Sequence, residues 1–200
     1  MKITYNSPVI LTFALLCTAV MIVNNSYIDG IMYSFFSVVP DMNYENPTSY
    51  FRLASHVIGH SGWEHLVGNF TFILLLGPML EEKFGSFNLF LMMLITAVVT
   101  GLLNVTFFET GLLGASGIVF MFILLSSLTN FRASHIPLTF ILVVALFLGK
   151  EIVMALENDN ISQFAHILGG VCGCVFGYIF AKPKAQEDNY IETDDYIRIS

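Results

Sequence analysis

Six apolar runs recur along the chain, at residues 8–23, 64–80, 87–107, 113–130, 136–148 and 161–181, with polar stretches between them. An α-helix rises about 1.5 Å per residue and needs roughly 20 apolar residues to cross a hydrocarbon core about 30 Å thick. The pattern therefore predicts an all-α chain with six membrane-spanning helices. The fifth run is the shortest, because Lys150 and Glu151 interrupt it. Residues 25–63 are polar and aromatic, and their apolar patches at 31–39 and 50–58 are too short to span, which predicts helices lying in the outer interface. The first run has the place and length of a signal peptide. Five further apolar runs and the lack of an A-x-A cleavage site before Asn24 predict an uncleaved span.

Composition agrees, since 56% of the 200 residues are hydrophobic and 12% charged, too apolar a balance for one soluble domain. The expected organisation is one membrane domain over residues 1–182 and a polar cytoplasmic tail over 183–200. The formal charge is −7, but Glu187, Asp188, Glu192, Asp194 and Asp195 all sit in that tail, and no nucleic-acid surface is implied. Cys17, Cys172 and Cys174 lie inside apolar runs and read as small buried hydrophobes. With both termini in the cytoplasm, Lys2, Lys83, Arg132, Lys182, Lys184 and Arg198 fall inside and only Arg52 and Lys150 outside, as the positive-inside rule requires.

Ionisable and polar groups within spans carry the functional signal. His65 and Asn69 are four apart near the start of the second span, hence on one helical face. His166 lies near the start of the sixth. The fourth begins with Gly114, Ala115, Ser116 and Gly117, where glycines flank a hydroxyl at a helix start whose backbone N–H groups lack partners. Counted from the cytoplasmic ends at about 1.5 Å per residue, Ser116 stands about 21 Å above Asn130, His166 about 24 Å above Lys182 and His65 about 24 Å above Glu81. The three groups share one layer a few ångströms below the outer surface. Gly169, Gly173 and Gly177 form a small-residue stripe that lets a neighbouring helix approach closely, and His166 lies on that face. The fourth span is the expected neighbour, with His166 brought within reach of Ser116.

Neutral imidazole is the usual base for a serine nucleophile, and Ser116 with His166 supplies that pair. No acid sits at matching depth, which favours a dyad over a Ser-His-Asp triad. His65, Asn69 and the backbone at Ser116 and Gly117 are candidate donors to a developing oxyanion. His56 and His60 lie near His65, but with no H-E-x-x-H pattern and no cysteine among them no metal is expected. A metal- or glutamate-type membrane protease would need Glu81 or Glu82 beside His65, and they are about 24 Å apart along the helix. A noncatalytic scaffold that binds helices through the glycine stripe is the alternative reading.

Taken together, these residues resemble the rhomboid family of intramembrane serine proteases, over residues 8–182. Gly114, Ala115, Ser116 and Gly117 resemble its GxSG motif, and Ala165, His166, Gly169 and Gly173 its AHxxGxxxG motif. His60, His65 and Asn69 are similar to its second-helix pattern, while Glu81 and Gly85 resemble the residues that close that helix. Phe51 and Arg52 resemble a tryptophan-arginine pair in the first loop. Phe120 stands where many members carry a tyrosine packed on the catalytic histidine, so stacking is expected without the hydroxyl. The resemblance implies nucleophile Ser116, base His166, oxyanion stabilisation by His65 and Asn69, transmembrane protein substrates entering laterally from the lipid, no cofactor, and a multi-pass protein of a bacterial plasma membrane.

Overall fold

A computed structural model describes residues 4–128, 138–155 and 160–180. Among the described residues are eight α-helices and no strand: α1 (Pro8–Ser26), α2 (Ile31–Phe35), α3 (Pro47–Ser55), α4 (Trp63–Phe84), α5 (Ser86–Phe107), α6 (Ser116–Ser127), α7 (Leu138–Ala155) and α8 (Asn160–Ile179). The acidic tail over 183–200 lies outside the described residues, as do Lys2, Asn130, Arg132 and Lys182.

The six apolar runs all become helices, with corrections at the edges of two of them and in both loop helices. The fourth starts at Ser116 and not at Leu113, because Gly114 takes φ +123°, a left-handed conformation that no helix admits. The fifth runs on through Lys150 and Glu151 to Ala155, since charge ends a hydrophobic run without ending a helix. The first of the two loop helices stops at Phe35, and Val38 pairs in extended conformation with Leu112. The second loop helix is shifted toward the amino terminus: Pro47 fills its first position and Asn46 caps it, its side-chain oxygen accepting the Thr48 N–H at 2.9 Å. His56 and His60 consequently follow α3 in the loop.

At the centre stands α6, which touches α4, α5, α7 and α8. Its Ile118, Met121, Phe122 and Leu125 are fully buried. The outer faces of the surrounding helices are apolar as well, with Leu15, Leu75, Ile95, Leu146 and Val171 exposed. A soluble protein seldom leaves so continuous an apolar surface. By length and composition α1 and α5 are able to cross a membrane.

One carboxylate ties the first helix to this core. Glu81, on the last turns of α4, is buried and accepts the backbone N–H groups of Val9 at 3.0 Å and Ile10 at 3.1 Å and the Ser86 hydroxyl at 2.7 Å. It thus caps the amino terminus of α1 with negative charge where the helix dipole is positive, and α1 then lies close enough for Ile10 to fill the space above Gly77. Glu81→Ala is expected to lower stability by about 2 kcal/mol or more, with Glu81→Gln in between. Thermal unfolding in detergent micelles checks it; a variant that melts with the wild type would show that apolar packing alone holds α1.

Candidate active site

The loop entering α6 is held at three points. Val38 and Leu112 exchange backbone hydrogen bonds of 2.8 and 3.1 Å, the Asn104 amide donates to the Thr110 carbonyl at 2.8 Å, and the Gly114 N–H donates to the His56 carbonyl at 3.0 Å. Two of these anchors come from the loop between α1 and α4. The segment before Ser116 is therefore shaped by residues far away in sequence. The first intrahelical bond of α6 runs from the Val119 N–H to the Ala115 carbonyl, which leaves the N–H groups of Ser116, Gly117 and Ile118 without an intrahelical acceptor.

Glycines bring α8 onto α6. A methyl group at Gly169 would collide with the Gly117 carbonyl, and one at Gly173 with the Met121 carbonyl. At Gly177 it would meet Leu128 Cδ1 at 2.8 Å. This contact, the most extensive helix pairing in the fold, seats His166 beside the start of α6. The expected stacking is present: the His166 and Phe120 rings lie 4.4 Å apart at 36°.

Ser116, His166, His65, Asn69 and Phe120 line one cavity of about 820 Å³, together with Phe72 and Leu146. Gly114 makes room for the donors, since a Cβ there would sit 2.6 Å from His65 Cε1, 2.8 Å from His65 Nε2 and 3.8 Å from Asn69 Nδ2. Asn69 is buried and its Nδ2 has no partner, so an amide donor stands unused beside the same space. His60 does not line the cavity. It stands behind His65, with the two rings edge to face at 5.0 Å and its Nδ1–H donating to the Ile58 carbonyl at 3.1 Å. Among the described residues no group of three or more His, Cys, Asp or Glu side chains could hold a metal ion.

Sequence reasoning missed Ser61, whose hydroxyl lies 3.1 Å from His65 Nδ1, and Thr100, whose methyl packs against the Gly117 position and whose hydroxyl lies 3.4 Å from His56 Nε2. The four-residue spacing from Ser61 to His65 was the available signal for the first. Thr100 carried none.

Burial pushes His56 and His60, both in the loop between α1 and α4, down to about 4. Each ring is neutral in the fold, with Nδ1–H donated to a carbonyl. Above the ordinary histidine value the rings are neutral in folded and unfolded chains alike and stability is complete. As pH falls from 6.5 toward 4 only the unfolded chain takes up protons, so stability drops across that window. Unfolding midpoints measured in detergent between pH 7.5 and 4.5 are expected to fall steadily, and less steeply for His56→Gln; a flat profile would contradict the burial.

The Rhomboid domain family matches residues 47–183. Rhomboid protease GlpG of Haemophilus influenzae is 23% identical over 141 residues, 69% of this chain and 73% of that protein. Rhomboid-like protein 11, chloroplastic, of Arabidopsis thaliana is 24% identical over 166 residues, 74% of this chain and 59% of the relative. Rhomboid-related protein 2 of Mus musculus is 31% identical over 143 residues, 64% of this chain and 47% of the relative. The family match begins at the first residue of α3 and takes in the glycine-flanked serine of α6, the histidine of α8 and the glycines that join them, and on that extent this chain belongs to the rhomboid family.

Proposed function

We propose that this chain is an intramembrane serine endopeptidase that hydrolyses peptide bonds in or near transmembrane segments of other membrane proteins. The observation that carries the reading is the shared cavity, in which a serine at a helix start and a stacked histidine meet an unpartnered amide and an imidazole. Ser116 Oγ attacks the substrate carbonyl as His166 takes its proton. The carbonyl oxygen, gaining negative charge, turns to the space facing Gly114, where His65, Asn69 and the free N–H groups at Ser116 and Gly117 donate to it. Collapse breaks the C–N bond, His166 gives its proton to the leaving amine, and an ester remains on Ser116. Water deprotonated by His166 cleaves that ester and restores the serine. No cofactor is needed.

Residues 1–182 form the protease unit in this reading, with 183–200 as an acidic tail and α1 and α4 to α8 as six spans. Exposed Tyr27, Tyr33, Tyr44, Tyr50 and Trp63 cluster in and beside the loop between α1 and α4, where aromatic side chains prefer the membrane interface. Lateral entry has support in the packing: α7 packs closely on α6 and α8 and on no other described helix, and Phe72 of α4 and Leu146 of α7, both exposed, line the cavity.

Labelling with a fluorophosphonate probe in detergent tests the reading. Wild type is expected to label, and Ser116→Ala and His166→Ala to remain blank while folded. A folded wild type that never labels, or labels without Ser116, would leave a scaffold role instead. On a cleavable transmembrane substrate, His65→Ala and Asn69→Ala are each expected to lower kcat by roughly 10²–10³ with KM little changed. An unchanged kcat would remove that residue from the oxyanion site.

A further inference from the structure

His65 can donate to an oxyanion only if its proton sits on Nε2, the nitrogen that faces Gly114. An imidazole has two neutral tautomers, and the partner of one nitrogen decides which is present. The partner of Nδ1 is Ser61, twice over: its backbone N–H donates to Nδ1 at 3.5 Å and its hydroxyl lies 3.1 Å from the same atom. A backbone N–H has no lone pair to offer, so Nδ1 must be bare, and the hydroxyl then donates as well. The proton is left on Nε2, which would lie 2.8 Å from a Cβ at Gly114, beside the unpartnered amide of Asn69.

We propose that Ser61 is a positioning residue that fixes the Nε2–H tautomer of His65 and so supplies the oxyanion site with one of its donors. The proposal rests on the protease reading for its catalytic meaning. Neighbouring groups do not duplicate the role: the His60 ring meets His65 edge to face at 5.0 Å while its own Nδ1–H is engaged with Ile58. Ser61 is exposed at the outer end of α4, and water competes there for Nδ1. Water both donates and accepts, so it tolerates either tautomer, whereas the paired N–H and hydroxyl of Ser61 admit one.

Removing the hydroxyl leaves the weaker backbone arm. Ser61→Ala is therefore expected to yield a mixture of tautomers and a roughly tenfold fall in kcat with KM unchanged, smaller than the 10²–10³ expected for losing the donor outright. Ser61→Thr, which restores the hydroxyl, should recover both.

The test is long-range proton–nitrogen correlation NMR on histidine-labelled full-length protein in micelles at pH 8, with the His65 signals assigned by His65→Gln and folding checked by thermal unfolding. Wild type should show Nδ1 unprotonated and Nε2 protonated, with Ser61→Ala shifting both toward averaged values. A Ser61→Ala ring identical to wild type overturns the proposal. A shifted ring with unchanged kcat, or a kcat loss that Thr does not rescue, overturns its catalytic meaning. A wild type that neither labels nor cleaves removes the protease reading, and the nitrogen signals still decide whether Ser61 sets the tautomer.

Discussion

Gly169 lies so close to the Gly117 carbonyl that a single methyl group has nowhere to go, and four residues on Gly173 stands in the same relation to Met121. The juxtaposition of Ser116 and His166 in the cavity rests on this backbone-on-backbone approach of α8 to α6. Helices separated by side chains sit 8–10 Å apart; removing the side chains along one stripe brings the axes closer and leaves little freedom to slide. In an apolar surround no hydrophobic force drives helices together, so close van der Waals contact and shape must hold the pair. The residues carried near that contact, Ser116 on one helix and His166 on the other, inherit its rigidity.

Polar groups in this fold divide into those that hold it together and those left unused. Glu81 accepts three donors, and the Val38 and Leu112 backbones satisfy each other. An unpartnered polar group in a low-dielectric interior costs about 1–3 kcal/mol. The Asn69 amide bears that cost beside the same cavity as Ser116. Among the described residues His60 Nε2, Asn104 Oδ1, Thr110 Oγ1 and the Gln163 amide are also buried without a partner, but of these residues Asn69 alone lines the cavity, where in the proposed reaction its donor meets the charge that develops on the substrate.

The helices were legible because each apolar run is long enough to register as a helix on its own, and the candidate residues that line the cavity because histidine, asparagine and serine stand out against leucine and phenylalanine. The same logic hides the rest. Leu113, Gly114 and Ala115 are as apolar as the helix that follows, so only the φ of Gly114 reveals where α6 begins. Lys150 and Glu151 look like an end of a run and are the middle of a helix. The pairing of Val38 with Leu112 and of the His56 carbonyl with Gly114 involves backbone atoms that every residue possesses, so no residue type announces it. Ser61 escaped for the opposite reason to Ser116: in a polar loop a serine is unremarked, and only its distance to His65 gives it meaning.

Among the described residues no carboxylate lines the cavity. Shape contributes to the orientation of His166. The Phe120 ring covers one face of His166, and the glycine contact one turn further along α8 fixes the backbone from which the imidazole projects. Phenylalanine suits that task as a flat, rigid surface with no polar atom of its own to satisfy. In the proposed mechanism this ties the chemistry to helix packing: a side chain added at Gly169 would displace the seat of His166 relative to Ser116, and a misplacement of about 1 Å is enough to cost two orders of magnitude in rate.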